Sequence, residues 1–222
     1  MIPDDDGMDV RALDRGSWWP AVSLALKAAL AGLLLFALAH HNWDRFAAKA
    51  MGIRAMTYPV AALIVPLVWV VWTRLRGRVR YPWDVDALIV APFVIDVAGN
   101  AANLYDTLSW FDDFCHFANW ALISAAFGAA LRRGPVIPRW MLALTCAGIG
   151  AIAAILWELA EYATFILNTS EVIGIYRDTI GDEVLGLSGA TVAGILTALR
   201  PPPRPAAPAI SEPPADVRPS AP

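Results

Sequence analysis

Asp112 and His116 stand four residues apart, Glu158 and Glu161 three apart, and Asp178 and Asp182 four apart. If each pair lies on a helix, its two members share a face. Carboxylates brought together from separate helices with one imidazole form a site for a divalent cation. Bundle-core di-metal proteins are built in this way, with a Glu/His pair one turn apart. His116, Glu158, Glu161 and Asp182 are the candidate ligands, and oxygen-rich ligation with one imidazole suits magnesium, manganese, iron or zinc. Without an ion, so many carboxylates at close range cannot all ionise, and those that keep protons have the chemistry of a proton relay. Asp112 and Asp178 complete the candidate catalytic set. Asp96, Asn100 and Asn103 follow i, i+4, i+7 spacing, and Asn119 lies one turn beyond His116. Asp96, Asn100 and Asn119 are therefore expected to line a polar pocket beside the charged groups.

Each residue taken singly has a plainer reading. His116 suits a hydrogen-bonded structural role, and Glu158 can snorkel to an interface. Asp112, Asp113 and Asp178 suit solvated loop or N-cap positions, and Asp178 to Asp182 suit a helix dipole. The same pattern in four neighbouring segments is what points to a shared site.

These residues lie in or beside hydrophobic runs. The chain is 58% hydrophobic and 17% charged, against about 45–50% and ~25% in soluble domains. Its runs are Trp19–Ala39, Met56–Trp72, Asp86–Tyr105, Phe114–Leu131, Arg139–Phe165 and Thr179–Leu199, each near the roughly 20 residues that span a bilayer. The expected fold is all-α, a bundle of six transmembrane helices over residues 19–199. An acidic tail (1–18) precedes it and a disordered, Pro-rich tail (200–222) follows. An ionisable side chain within such a segment costs at least ~2.5–3.5 kcal/mol on insertion scales and marks function by default. The polar set is therefore expected to turn inward from four helices into one cavity in the outer half of the membrane. Asp96 and Asn100 would form its floor, roughly 15 Å deep at 1.5 Å per residue, and Asp178 its rim. No comparable polar set is expected at the inner ends.

Basic residues set the orientation. Arg74, Arg76, Arg78, Arg80, Arg132, Arg133 and Arg139 fall in connections on one side of six spans, with Arg11, Arg15, Arg200 and Arg204 in the flanking tails. Arg45, Lys49, Arg54 and Arg177 fall on the other. The expectation is N-in, C-in. Trp18, Trp19, Trp72, Trp83 and Trp140 then suit the inner aromatic belt, and Trp43, Trp110 and Trp157 the outer one. Residues His41–Ala55 mix apolar and basic types and suggest a short interfacial helix. The segment before the first run is acidic and the run is long for a signal sequence, so this helix is expected to be retained. Cys115 and Cys146 would sit at opposite ends of their helices and stay unpaired. Gly186, Gly189 and Gly194 make the last run a small-residue helix suited to close packing. A net charge of −3 without a basic stripe gives no reason to propose nucleic acid.

The stretch Phe111-Asp112-Asp113-Phe114-Cys115-His116-Phe117 resembles the D-R-x-G-H-F of the YjdF-like bacterial inner-membrane proteins, a family of unknown function. Glu158-Leu-Ala-Glu161-Tyr162 is similar to their E-x-x-E-W, and Asp178-Thr-Ile-Gly-Asp182 with Gly189 to their D-x-x-x-D and trailing small residues. The likeness covers about Asp96 to Gly194. VanZ-like membrane proteins show a more distant one. Asp113 stands where the family has Arg, Cys115 where it has Gly, Asn119 where it has Gln and Tyr162 where it has Trp. The resemblance implies a six-helix fold in the bacterial cytoplasmic membrane with one polar centre at Asp112, His116, Glu158, Glu161, Asp178 and Asp182.

Three functions follow as expectations. The first is a divalent-metal-dependent membrane enzyme acting on a lipid or lipid-linked envelope substrate, with membrane lipids as its partners. The second is a proton- or cation-coupled transporter. The third is an accessory protein whose polar cluster only locks helices together. The chain lacks the motifs of membrane phosphatidyltransferases and lipid phosphatases, and it shows no Ser or Cys nucleophile beside a base.

Overall fold

A computed structural model of the chain describes residues 17–47, 49–77, 79–163 and 175–201. Nearly all of both expected tails lies outside these ranges, as does the end of the fifth run at Phe165. The described residues are helical and contain no strand. The helices are α1 (Trp19–Ala39), α2 (Met51–Ala62), α3 (Ile64–Arg76), α4 (Trp83–Ala101), α5 (Leu104–Thr107), α6 (Phe111–Leu131), α7 (Arg139–Glu161) and α8 (Ile175–Leu199). Helices α1, α6, α7 and α8, together with α2 and α3 as one unit, are long and apolar enough to cross a membrane, making five such segments. Helix α4 spans 19 residues but carries Asp84, Asp86 and Asp96. The expected count of six therefore rests on that helix.

The second run departs from a single span. It starts earlier than expected, at Met51, and divides at Leu63 into α2 and α3. Pro66 is the cause: it has no N–H for the carbonyl of Ala62, and its ring crowds that carbonyl. Among the described residues, His41–Ala55 do not form one interfacial helix: they hold a 3-10 turn, Asp44–Phe46, then Ala50 in the left-handed region at φ 46°, and Met51–Ala55 already belong to α2. Helix α4 likewise stops at Ala101, short of Tyr105, and Asn103 is left-handed at φ 61°. Asn103 therefore does not continue the face of Asp96 and Asn100. Asp96 lies five residues from the end of α4, about 7.5 Å of helix rise rather than the ten residues and 15 Å expected.

Helices α6, α7 and α8 pack on one another, and α4 joins them to α1 and α2. The three-helix contact is a ladder with a step of four residues. His116, Glu158 and Asp182 form its first layer. Trp120, Ala154 and Gly186 form the second, Ser124, Gly150 and Ala190 the third, and Gly128, Cys146 and Gly194 the fourth. Numbers rise together on α6 and α8 and fall on α7, so α7 runs antiparallel to the other two. Glycine is required where backbones meet: a Cβ on Gly189 would lie 2.1 Å from the Phe117 carbonyl oxygen, and one on Gly150 would lie 2.2 Å from Ala190 Cβ. Close approach of this kind, through small residues, is how helices associate in lipid. The Arg132 guanidinium closes the far end by donating to the carbonyls of Thr197, Arg200 and Pro201, which the end of α8 leaves unpaired. Leu24, Leu67, Leu144, Leu156, Val184 and Leu196 stand exposed on the outside, as a lipid-facing surface requires.

Candidate functional site

The first layer of the ladder carries the chemistry. His116 comes from the second turn of α6, Glu158 from the last turn of α7, and Asp182 from about two turns into α8. All three side chains are buried. Asp112 lies one turn before His116 and is half exposed, and Glu161 lies one turn beyond Glu158. His116 Nδ1 is 3.7 Å from Glu158 Oε1, while Nε2 is 3.6 Å from Asp182 Oδ1 and 3.9 Å from Asp112 Oδ1. Hydrogen bonds between nitrogen and oxygen run about 2.7–3.2 Å, so none of these contacts is one. His116 Nδ1 and Glu158 Oε1 are buried without a hydrogen-bond partner, an arrangement that costs roughly 1–3 kcal/mol per group if nothing compensates.

The spacing suits an ion. Ligand bonds of about 2.0–2.2 Å place two donors on one ion roughly 3–4 Å apart. Two sets, Asp112–His116–Asp182 and His116–Glu158–Glu161, each offer ligand atoms within 4.8 Å of one another. The donors are carboxylates and imidazole, the ordinary ligands of divalent cations. The structure thus brings Asp112, His116, Glu158, Glu161 and Asp182 together. Asp178 belongs to neither set and stands exposed in the first turn of α8, one turn before Asp182.

A cavity of about 410 Å³ opens beside this layer. Asp112, His116, Asn119 and Glu161 line one wall, with Arg54, Tyr58, Asp96, Asn100 and Tyr105 on the other. Pro92, Phe93, Trp120 and Trp157 supply apolar surface between them. Asp96 is already saturated. It accepts from Arg54 Nε at 2.8 Å, Tyr58 at 2.6 Å, Tyr105 at 3.0 Å and Asn100 Nδ2 at 3.3 Å. It therefore anchors α4 to α2 and leaves the open chemistry to the His116 layer. Cys115 and Cys146 are buried and unpaired, and Cys115 Sγ lies 3.4 Å from the Tyr105 hydroxyl.

Several of these residues escape sequence reasoning. By sequence, Arg54 falls in a loop, Tyr58 within a run and Tyr105 at a run end, with no role for any of them. The i, i+4 spacing of Arg54 and Tyr58 at the head of an apolar run is the signal that could have found them, because an arginine there needs a partner. A second buried group lies at the opposite end of α4. Asp86 is fully buried, accepts from Ser23 Oγ at 2.5 Å and pairs with Lys27 Nζ at 2.7 Å. Burial, with the Asp86 carboxylate nearby, raises the Tyr81 phenol above its usual range. Buried charge thus occurs at both ends of α4, where it was expected at one end only. Asp86 and Lys27 are 59 positions apart in sequence, and only the packing of α1 on α4 makes them a pair.

No curated protein and no solved structure shows a significant match to the chain. A family model described as a predicted membrane protein, DUF2238, matches residues 22–201, which runs from the first turn of α1 to the end of α8. With its apolar helices the chain is a multi-pass membrane protein, and it belongs to the DUF2238 family of predicted membrane proteins.

Proposed function

We propose that the protein is a divalent-metal-dependent membrane enzyme acting on a lipid or lipid-linked substrate. In this reading α4 is a sixth span, the termini face the cytoplasm of a bacterial cell, and the His116 layer lies in the outer half of the cytoplasmic membrane. The observation that carries the reading is the set Asp112, His116 and Asp182, whose ligand atoms lie within 4.8 Å of one another with no hydrogen bond between them. A neutral imidazole has one lone pair to give. The half-exposed Asp112 leaves the Nε2 face open to water and cavity, so Asp112, His116 Nε2 and Asp182 are the residues to hold the ion. Glu158 Oε1, on the buried face and 3.7 Å from Nδ1, would then be the acceptor that Nδ1–H closes on as the ring seats, fixing its tautomer and tilt. Glu161 lines the cavity and is placed to take a proton from a water or hydroxyl there. Asp178, at the rim, adds negative charge that draws a cation in. A divalent ion held there supplies Lewis-acid polarisation and lowers the pKa of a bound water.

Metal analysis of purified protein tests this. Near-stoichiometric metal is expected in the wild type and none in His116→Ala or Asp182→Asn, while Glu158→Gln should weaken binding by about 10–100-fold. A wild type free of metal, with a melting temperature unmoved by chelator, refutes it.

A second reading is a proton- or cation-coupled transporter. Asp86 with Lys27 favours it, since ionisable groups then occupy both ends of α4. Flux of protons or monovalent cations in proteoliposomes, abolished by Asp86→Asn, supports this alternative, and absence of flux excludes it. A purely structural cluster fits poorly, because such a cluster should be fully paired.

A further inference from the structure

The cavity holds two buried acceptors that lack donors. Asn100 is 2% exposed and lines the cavity. Its Nδ2 donates to the Asp96 main-chain carbonyl at 2.9 Å, which identifies the opposite end of the amide as the oxygen. That oxygen has no hydrogen-bond partner. Asn119 lines the opposite wall, one turn from His116, and its Oδ1 is likewise buried and unpartnered. Both asparagines thus line a cavity whose other polar wall is the proposed ion site, and each keeps a buried amide oxygen without a donor.

The ligand that suits this pair is set by elementary chemistry. A phosphate or carboxylate brings mainly acceptors and would set oxygen against oxygen at both asparagines. An ammonium brings donors but has no lone pair for an ion, and the ion would repel it. A hydroxyl has both: its proton goes to an amide oxygen and its lone pair remains available. Charge argues against an anion. The cavity's cations are engaged, Arg54 with Asp96 and Lys49 with Asp106, while Asp112 and Glu161 add negative charge. We infer that Asn100 and Asn119 form a subsite for a neutral, polyhydroxylated head group, of the glycerol or sugar type. The inference deepens the enzyme reading and rests on it for the role of the ion, though hydroxyl recognition itself can be measured without metal.

The test uses the full-length purified protein and water-soluble probes, so that partition into lipid does not interfere. Binding of monobutyrylglycerol, its dimethyl ether, butyl phosphate and butylammonium is measured by calorimetry, with manganese-loaded and with chelator-treated protein. Manganese content is measured in the same samples. The diol is expected to bind saturably and the ether at least about tenfold more weakly, because the ether leaves both amide oxygens unpaired. Asn119→Leu should remove that discrimination while retaining manganese. Equal binding of diol and ether, tighter binding of butyl phosphate or butylammonium than of the diol, or discrimination that persists in Asn119→Leu overturns the subsite. Should Asn119→Leu fail to fold, the diol/ether comparison in the wild type decides alone. Loss of manganese with discrimination kept sinks the metal reading and leaves the subsite standing. Manganese retained without discrimination does the reverse.

Discussion

Gly189 is two turns from Asp182 and touches no ionisable group, yet Gly189→Ala should empty the proposed metal site. A Cβ there lies 2.1 Å from the Phe117 carbonyl oxygen, against an ordinary contact of 3.4–4 Å. The clash is with backbone, which cannot rotate away. Helices α6 and α8 must therefore part by roughly 1.3 Å, and overpacking of this kind costs about 1–3 kcal/mol. Phe117 is the chain neighbour of His116, so the separation reaches the His116–Asp182 gap of 3.6 Å almost undiminished. Binding sites tolerate only about 0.5 Å of such drift. With one carboxylate pulled out of reach, metal affinity should fall by at least about tenfold. Gly181→Ala is the control. Gly181 adjoins Asp182 in sequence, but a methyl group added to it would meet nothing within 4 Å, and replacing an unhindered helical glycine should be neutral or stabilise by roughly 0.5–1 kcal/mol. The assay is thermal melting in detergent together with metal content by mass spectrometry. If Gly189→Ala keeps both melting temperature and metal while Gly181→Ala loses them, the reasoning from helix spacing to ligand spacing fails.

Three further outcomes are expected. Arg54→Met leaves Asp96 buried without its cation and should cost about 3–5 kcal/mol, whereas Arg54→Met with Asp96→Asn, which removes the charge but keeps an acceptor for Tyr58 and Tyr105, should recover most of that loss; chemical denaturation of both variants checks it, and equal loss in both counts against the pairing. Lys27→Met should destabilise the α1–α4 contact without changing metal content, because Asp86 belongs to the other end of α4; metal loss in this variant would show that the two polar groups are coupled. In a background with Cys115 and Cys146 replaced, a single cysteine at Gly77 should be shielded from an impermeant reagent in intact cells and one at Ser109 labelled, the reverse pattern overturning the proposed orientation. Ser170, expected on the same side as Ser109, lies outside the described residues.

Composition and run lengths alone determined that this is an all-helical chain with membrane-spanning segments, because a bilayer demands long apolar helices whatever their packing. Helical spacing alone also paired Asp112 with His116 and Glu158 with Glu161, since neighbours on one helix are fixed by its pitch. Pairing across helices was another matter. That Asp96 is neutralised by Arg54 and Asp86 by Lys27 depends on which faces of α1, α2 and α4 meet, and no local period encodes that. Apolar length also misjudged the boundaries: Pro66 divided the second run, and the left-handed Asn103 lies just past the early end of the third, which puts Asp96 nearer the end of its helix. Only the tertiary structure decided that Glu158 and Asp182 stand on opposite sides of one imidazole. The four-residue ladder of small side chains sets that geometry, because backbone contacts at Gly150 and Gly189 allow α6, α7 and α8 a single close register.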